Sequence, residues 1–472
     1  MDMDQDSFDK RNFLFFLNYT KTLSFEDALI GALTVPSSWD AVAEMVRTAR
    51  QKDAFVRSID KAQLYIHVPF CGRICTFCDC SKVLLRKRAE IDAYIKALAH
   101  QMMLLAPLHK GMDADTILFG GGTPSILDEA QITAILDEVD KAFPAKRRKI
   151  LFEANPSSWT ASKLAALSTR GLYRLSVGVQ SLDEKVLKLV CRSQTRKKVL
   201  WCLKSAQKAG VPYVNFDLMA GLPGQTVSSF IDDLKTLIDG GATSAHIYPY
   251  CGSSPRKLCS LGETVPEFFK RRDDMLNAAF KILTAAGFRR KGYDAFSLKG
   301  EGGRNAYLNL DTAIAAFGPS ARGQFPGAVF YHVDENSTVD FTRVDACAQD
   351  FGYVKSHYAV LAIFYGLDER AFFRRFGVSL DQHCGEGLQF LRQSGLVALS
   401  KGVWKYSGKW EIRRLHEFTS LARILFGEEF LSRLQIRFRN QYDPRQDYSK
   451  GNSLLRTYAD PWLMNLYYQL GF

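Results

Sequence analysis

The segment LYIHVPFCGRICTFCDC, residues 64–80, contains four of the ten cysteines of the chain. It starts with an apolar stretch typical of a buried strand and continues into a cysteine-rich loop. Cys71, Cys75 and Cys78 have the spacing C-x3-C-x2-C, and Cys80 follows two residues later. Three thiolates in one loop can bind three irons of a [4Fe–4S] cluster and leave the fourth iron open. No second pair with zinc-site spacing follows, so a structural zinc site is the weaker alternative.

Composition places the rest of the chain among ordinary globular proteins. The 472 residues are 47% hydrophobic and carry 62 Lys and Arg against 50 Asp and Glu, a formal charge of +12. These values exclude a disordered or collagen-like chain, and the length predicts two or three domains or one extended α/β barrel. We find no membrane span and no secretory signal at the acidic N-terminus, which predicts a cytoplasmic protein. Six further cysteines are interpreted as buried apolar residues: Cys191, Cys202, Cys251, Cys259, Cys347 and Cys384.

Strand and helix patterns alternate after residue 60, which predicts an α/β fold. Strands separated by amphipathic helices form parallel sheets with right-handed crossovers, and six such units predict a partial (β/α)6 barrel. We expect three parts: an N-terminal helical arm (1–58), the barrel (59–330), and a mostly helical cover domain with a small hairpin (331–472). A winged-helix arrangement is the alternative for the C-terminal part. The six strands are predicted at 63–68, 115–119, 149–156, 174–180, 214–219 and 245–250.

The cysteine loop resembles the cluster motif of the radical S-adenosylmethionine (SAM) superfamily. Cys80 and the lead-in YIHVPF at 65–70 are similar to the oxygen-independent coproporphyrinogen III oxidase (HemN-like) branch, and the resemblance extends over about residues 60–325. It implies a [4Fe–4S] cluster bound by Cys71, Cys75 and Cys78, and two molecules of SAM. It also implies an electron donor such as a flavodoxin or a ferredoxin.

The conspicuous polar and glycine motifs follow the predicted strands, at the end where barrel enzymes place their active sites. Glycines there permit close backbone approach to a ligand, which a Cβ would prevent. The resemblance implies catalytic roles near SAM for Tyr65 and Cys80. The residues that it implies for SAM binding are Phe77, Gly120, Gly121, Gly122, Thr123, Glu153, Gln180, Arg192 and Asp217.

Two departures from the family pattern bear on the substrate. The chain lacks the Tyr-Thr-Ser-Tyr-Pro type of segment before the cysteine loop and carries an apolar stretch at 11–19 instead, and residues 251–256 also differ from the expected pattern. We therefore predict a C-methylase or cyclopropanase that acts on a small molecule and uses the second SAM as methyl or methylene donor. Coproporphyrinogen III decarboxylation is an alternative, and so is a haem-related role as degrading methyltransferase or chaperone.

The predicted partners are a small-molecule substrate, carboxylated or a tetrapyrrole, and the electron donor. We expect a monomer that binds neither membrane nor nucleic acid. A non-enzymatic iron–sulfur or nucleic-acid-binding protein is the alternative from another class, and the intact glycine motif argues against it.

Overall fold

The computed structural model describes residues 35–78, 80–250, 265–291, 294–298, 312–349, 351–363 and 366–407. The apolar stretch at 11–19, residues 251–256 and Cys259 lie outside these ranges. Residues 408–472 of the predicted cover domain also lie outside them. No helix in the described ranges is long and apolar enough to cross a membrane.

The described part of the chain contains 18 strands and 12 α-helices. The strands are β1 (Val35–Ser37), β2 (Lys61–Val68), β3 (Phe70–Cys71), β4 (Val83–Leu84), β5 (Asp113–Gly121), β6 (Lys149–Ala154), β7 (Leu172–Gln180), β8 (Tyr213–Ala220), β9 (Ser244–Pro249), β10 (Arg289–Arg290), β11 (Ala295–Ser297), β12 (Thr312–Phe317), β13 (Arg322–Phe325), β14 (Val329–Val333), β15 (Val344–Ala348), β16 (Leu367–Asp368), β17 (Val397–Ser400) and β18 (Val403–Tyr406). The helices are α1 (Trp39–Lys52), α2 (Ala54–Arg57), α3 (Ala89–Leu105), α4 (Glu129–Ala142), α5 (Ala161–Thr169), α6 (Glu184–Leu189), α7 (Arg196–Lys208), α8 (Val227–Asp239), α9 (Val265–Ala285), α10 (Phe351–Ile363), α11 (Glu369–Phe376) and α12 (Leu380–Gln393).

The main sheet has thirteen strands in the order β1-β15-β14-β13-β12-β2-β5-β6-β7-β8-β9-β11-β10. Strands β2, β5, β6, β7, β8 and β9 are parallel neighbours, which confirms the predicted α/β partial barrel. The described strands do not close into a barrel, because β1 and β10 are the two ends of the order. A seventh parallel strand, β12, pairs with β2 on the side away from β5 and was not predicted.

Helices cover one face of the parallel strands because their apolar residues recur at helical spacing. Ile91, Tyr94, Leu98 and Met102 of α3 are all buried, as expected for an amphipathic helix packed on a sheet. Helix α4 begins at a capping box, in which Asp128 accepts a hydrogen bond from the N–H of Gln131. Local sequence and tertiary packing therefore favour the same crossovers.

The two faces of the parallel strands differ in polarity. Leu64, Phe119, Phe152, Val177 and Phe216 are completely buried. Side chains alternate between faces along a strand, so the intervening positions share the opposite face. These are polar in several strands, which differs from the apolar interior of a filled barrel. We call this opposite face, which carries the polar positions, the inner face. It provides polar groups for a ligand. They include Tyr65, His67, Glu153, Ser176, Asp217 and His246.

The sheet continues beyond the six predicted units. Antiparallel strands β13, β14 and β15 extend it past residue 330, and β1 pairs with β15. The chain segment before the cysteine loop and the segment after β12 are thus joined in one sheet.

Residues 351–407 have a winged-helix order of elements. Helices α11 and α12 are followed by the hairpin β17–β18, and β16 completes a three-stranded sheet. The exposed positions of α12 include Asp381, Gln382, Glu386 and Gln389, with Arg392 in the last turn. A helix that binds a nucleic acid usually presents basic residues, so this face does not favour such a partner.

Candidate active site

The cysteine loop projects from the carboxyl end of β2. Cys71 lies in β3 and is buried, Cys75 and Cys78 are half-buried, and Cys80 is exposed. The Cys71 thiol lies 3.3 Å from Thr123 Oγ1, and Arg192 Nη1 lies 3.8 Å from Cys75 Sγ. A hydrogen bond to the Cys78 thiol raises the pKa of Cys80 well above its usual value. The loop thus directs its thiols toward residues at the ends of other strands.

The spacing of Cys71, Cys75 and Cys78 along the sequence suits a cluster of several metal atoms. Among the described residues, no three Cys, His, Asp or Glu side chains converge closely enough to hold a single metal ion. A [4Fe–4S] cluster binds each thiolate through a different iron. Burial raises the pKa of the Cys71 thiol, and direct coordination to iron would remove its proton.

Lys82 holds the cysteine loop closed, although the sequence did not single it out. Its ammonium donates hydrogen bonds to the carbonyls of Cys78 at 2.6 Å and Cys80 at 2.9 Å. The N–H groups of Val83 and Leu85 donate to the carbonyls of Pro69 and Cys71. The sequence feature that could have indicated Lys82 is its position two residues after Cys80. A cation there can bind the last carbonyls of the loop.

The glycine motif at the end of β5 lies directly against this loop. The Gly122 N–H donates to the Val68 carbonyl at 2.8 Å. A Cβ at Gly122 would lie 2.6 Å from the Pro69 carbonyl oxygen, and one at Gly121, where φ is +105°, would lie 2.8 Å from His67 Nε2. Only glycine fits these two positions without displacing its neighbours.

Tyr65 and His67 connect the inner face of β2 to the loop. The Tyr65 hydroxyl lies 3.0 Å from His67 Nδ1, and His67 Nε2 lies 2.9 Å from the Ser81 carbonyl oxygen. Because a carbonyl only accepts, Nε2 carries the proton and Nδ1 accepts from Tyr65. Burial lowers the pKa of His67 to about 4, so the ring is neutral. These two hydrogen bonds fix the orientation of Tyr65 beside Gly120.

Glu153 contributes a carboxyl group next to Gly120 on the inner face. A Cβ at Gly120 would lie 3.2 Å from Glu153 Oε2 and 3.0 Å from the Tyr65 ring. Burial, and next the negative charge of Asp217, raise the pKa of Glu153 to about 8. A cation placed beside it would stabilise the carboxylate, so the position suits a ligand that carries an ammonium group.

The raised pKa of Glu153 has a consequence for stability. Between its usual pKa of 4.5 and about 8, the unfolded chain releases the proton that the folded chain retains. Stability therefore falls as the pH rises through this window, by at most about 1.4 kcal/mol per pH unit.

We expect Glu153→Gln to gain stability relative to the original chain as the pH is raised from 5 to 8. Urea unfolding at several pH values, without added iron or SAM, measures the difference. The exposed Glu184 gives a matched control, Glu184→Gln. Parallel pH profiles for the original chain and Glu153→Gln would show that burial does not perturb this carboxyl group.

Asp217 belongs to a polar network on β7, β8 and β9. Its Oδ1 accepts from Asn215 Nδ2 at 2.8 Å and lies 3.3 Å from His246 Nδ1. Arg174 Nη2 lies 3.1 Å from the same His246 nitrogen. Among the described residues, Arg174 Nε and Asn215 Oδ1 have no hydrogen-bond partner. Sequence reasoning missed Arg174 and His246; their signal was polar residues at inner-face positions of strands.

Gln180 and Arg192 lie where β7 ends. Gln180 has φ of +66° and follows an irregularity in the pairing of β7 with β8. Such a conformation is strained for a residue with a side chain and concentrates at functional sites. Arg192 donates to the Gly178 carbonyl and contacts Cys75, so it joins β7 to the cysteine loop.

Phe77 lies in a separate apolar group. It packs against a cluster formed by Val186, Val190, Met219, Leu222, Tyr250 and Phe268. Met219 belongs to β8, and Tyr250 directly follows β9. Phe77 therefore joins the cysteine loop to the carboxyl ends of β8 and β9.

The structure thus brings the predicted residues to one end of the sheet in three contact groups. The first joins Tyr65, Gly120, Gly121 and Glu153. The second joins the loop to Thr123 and Arg192 through Cys71 and Cys75. Asp217 reaches the first group through its charge on Glu153, whereas Phe77 belongs to the apolar group.

Comparison with known proteins agrees with this geometry. Residues 65–237 match the family model described as the radical SAM superfamily. The heme chaperone HemW of Bacillus subtilis is 33% identical over 354 residues, which cover 72% of this chain and 93% of that protein. The chain belongs to the HemN-like branch of the radical SAM superfamily.

Other relatives of this branch carry a different name. The oxygen-independent coproporphyrinogen III oxidase of Escherichia coli is 31% identical over 240 residues, 50% of this chain and about half (52%) of that enzyme. The Salmonella typhimurium enzyme of the same name is 28% identical over 378 residues, 72% of this chain and 81% of the enzyme. The solved Escherichia coli coproporphyrinogen III oxidase (HemN) has a TM-score of 0.67 at 22% identity, covers 78% of this chain and 93% of its own, and confirms the fold.

Membership in the radical SAM superfamily implies a [4Fe–4S] cluster and SAM, and the residues present fit both. Three thiols lie in one loop, and no room is left for a Cβ where Gly122 approaches that loop. The Glu153 carboxyl group lies beside Gly120, and the Arg192 guanidinium contacts Cys75. These two groups suit the ammonium and the carboxylate of a bound amino acid.

Proposed function

We propose that the chain cleaves SAM reductively and uses the resulting radical on a carboxylated tetrapyrrole. The observation that carries the proposal is the contact between the three-cysteine loop, the glycine motif and Glu153. A structural cysteine knot needs neither the glycine motif nor a buried carboxyl group on a neighbouring strand.

Each residue of the site has a role in this proposal. Cys71, Cys75 and Cys78 hold the cluster, and the backbone of Gly120, Gly121, Gly122 and Thr123 contacts the methionine part of SAM. Glu153 accepts from its ammonium, Arg192 pairs with its carboxylate, and Asp217 accepts from the ribose hydroxyls. Phe77 and its apolar group receive the adenine. Gln180, Tyr65 and Cys80 face the reacting part of the site.

When bound, a cluster held by the three cysteines and a SAM molecule held by the glycine motif, Glu153 and Arg192 would supply one-electron cleavage of the sulfonium and hydrogen-atom abstraction from the substrate. The protein orients the sulfonium and excludes water from it. Tyr65, which donates its hydroxyl proton to His67, is placed to accept a hydrogen bond from a ligand beside Gly120.

The tetrapyrrole assignment rests on the relatives together with the inner face. The names of the relatives refer to coproporphyrinogen or to haem. Arg174 presents a buried guanidinium toward the inner face, where it suits a substrate carboxylate, and the surplus of positive charge favours anionic substrates.

The proposed reaction is oxidative decarboxylation of a propionate side chain. Loss of one hydrogen atom to the deoxyadenosyl radical, of CO₂, and of one electron converts a propionate into a vinyl group. If a second SAM molecule accepted that electron, its reductive cleavage would give a further methionine and a further deoxyadenosyl radical, which would start the next decarboxylation. The methylase or cyclopropanase reaction predicted from the sequence gains no specific support from the relatives. It would give S-adenosylhomocysteine and release no CO₂.

The test is a product analysis of the anaerobically reconstituted protein with SAM, dithionite and coproporphyrinogen III. We expect 5′-deoxyadenosine and CO₂ in a fixed ratio, without S-adenosylhomocysteine. If S-adenosylhomocysteine forms only when the substrate is present, the reaction is methyl transfer and not decarboxylation. If the protein binds haem stoichiometrically and forms no deoxyadenosine, it is a haem chaperone and catalyses neither decarboxylation nor methyl transfer.

A further inference from the structure

One buried lysine near the carboxyl ends of β5 and β6 has no role in the proposed SAM site. Lys163 is the third residue of α5 and is 8% exposed. A cation is disfavoured in a buried position, and also in the first turn of a helix, where the helix dipole is positive. Burial accordingly lowers the pKa of Lys163. A lysine at such a position needs hydrogen-bond partners that offset these costs.

The ammonium of Lys163 bridges two turns at the site. It donates hydrogen bonds to the carbonyls of Ser125 and Ser158, each at 2.8 Å. Ser125 lies two residues after Thr123 of the glycine motif, and Ser158 lies five residues after Glu153. Each serine belongs to the short 3-10 helix that follows β5 or β6, and these two strands are parallel neighbours. The ammonium therefore joins the ends of the strands that carry the glycine motif and Glu153.

Hydroxyl groups join the same two turns. Ser125 Oγ lies 2.7 Å from Ser158 Oγ and accepts from the Asn155 N–H at 2.9 Å. The Ser157 hydroxyl donates to the carbonyl of Ser193, so the turn after β6 is also joined to the segment that carries the predicted SAM arginine. We call this hydrogen-bonded unit the turn clamp; its members are Ser125, Asn155, Ser157, Ser158 and Lys163.

We propose that Lys163 is a positioning residue for SAM, which fixes the glycine motif against the strand that carries Glu153. The proposal rests on the proposed function, in which the methionine part of SAM contacts both the glycine backbone and the Glu153 carboxyl group. Lys163 acts through Ser125, which is completely buried. Loss of the ammonium would take a donor from this buried carbonyl, which is costly unless the turn moves.

The path from Lys163 to the cysteine loop is short. The turn that holds Ser125 begins at Thr123, whose hydroxyl lies 3.3 Å from the Cys71 thiol. A shift of this turn would therefore change the approach of the glycine motif to the loop. The cysteines themselves are not part of the turn clamp, so we expect iron binding to depend on it much less than SAM binding does.

The test compares Lys163→Met with the matched control Lys198→Met in the reconstituted protein. Lys198 is the third residue of α7 and also follows a threonine cap, but its ammonium lies 4.0 Å from the ring centroid of Trp201 on its own helix. Calorimetric titration with SAM gives the dissociation constant and the stoichiometry. Iron content and the rate of dithionite-driven deoxyadenosine formation at saturating SAM are measured in parallel. Ser125→Ala is the second variant, because it removes a hydroxyl of the turn clamp and keeps the buried charge.

We expect Lys163→Met to weaken SAM binding about 10-fold, with unchanged iron content and a rate at saturating SAM within about 2-fold of the original. Ser125→Ala should weaken SAM binding about 3- to 5-fold, and Lys198→Met should leave it unchanged. The double variant Lys163→Met/Ser125→Ala should lose less than the product of the two single losses, since both changes release the same turn. A merely structural role would lower the binding stoichiometry, which reports the folded fraction, and leave the dissociation constant unchanged.

An unchanged SAM dissociation constant in iron-loaded Lys163→Met would overturn the proposal, and so would equal losses in Lys163→Met and Lys198→Met. If Lys163→Met does not fold, Ser125→Ala decides: an unchanged dissociation constant overturns the proposal, and a weaker one supports it. Failure of the original protein to form deoxyadenosine with dithionite would refute the proposed function, whereas the SAM dissociation constants would test the turn clamp separately.

Discussion

Replacement of Cys75 by alanine is expected to abolish deoxyadenosine formation and to remove most of the iron from the reconstituted protein. Cys75 is one of the three predicted ligands among the four cysteines of the loop, and its sulfur lies beside Arg192. Removal of a group that only supports a metal ligand costs about 10- to 100-fold in affinity. Loss of a ligand itself should therefore lower activity by about 1,000-fold or more. Iron content, the visible absorption of the cluster and deoxyadenosine measure the effect.

Cys191→Ser gives the matched control. Cys191 lies outside the loop, after α6, and is exposed, so its interpretation from the sequence as a buried residue is wrong. Its replacement should leave iron content and activity unchanged. Full iron incorporation by Cys75→Ala would show that the loop is not the cluster site.

Substitution of Gly122 by alanine is expected to weaken SAM binding about 10- to 100-fold while the chain stays folded. The added Cβ would lie 2.6 Å from the Pro69 carbonyl oxygen and 3.0 Å from that of Phe70. Both are backbone atoms, so the clash cannot be relieved by a side-chain rotation. Displacement of the glycine motif from the cysteine loop costs about 1–3 kcal/mol, and each 1.4 kcal/mol is about tenfold in affinity. Calorimetric titration of the reconstituted protein with SAM measures it.

Gly72→Ala is the control because it places the same methyl group in the same loop. A Cβ at Gly72 would meet no atom of the structure within 4 Å, so SAM affinity should stay close to that of the original protein. If both substitutions weakened binding equally, the effect would come from the rigidity of the loop and not from the close approach of Gly122.

Much of the barrel could be predicted because its strands and helices have clear local signals. The amphipathic helices predicted between the strands include α3 (Ala89–Leu105), whose apolar residues recur at helical spacing. Strands β2 and β5 to β9 contain β-branched and aromatic residues and end at polar or glycine motifs. Their order in the sheet and the end of the sheet that carries the site could therefore be predicted from the sequence. The cysteine spacing predicted the cluster loop because thiolate ligands need neighbouring positions along the chain.

The remaining features depend on contacts between distant residues. Strand β12 reads Thr-Ala-Ile-Ala-Ala-Phe, and its three alanines lack the β-branched signal of a strand. It becomes a strand because β2 offers a parallel edge. Lys82, Arg174 and His246 acquire their roles only where the fold places them beside loop carbonyls or across neighbouring strands, which single-sequence spacing does not show.

The most direct test of radical SAM chemistry is a single anaerobic incubation of the reconstituted chain with SAM and dithionite. We predict 5′-deoxyadenosine and methionine in equal amounts, both dependent on iron and on dithionite. Intact SAM after incubation with a fully loaded and reduced [4Fe–4S] cluster would contradict the account.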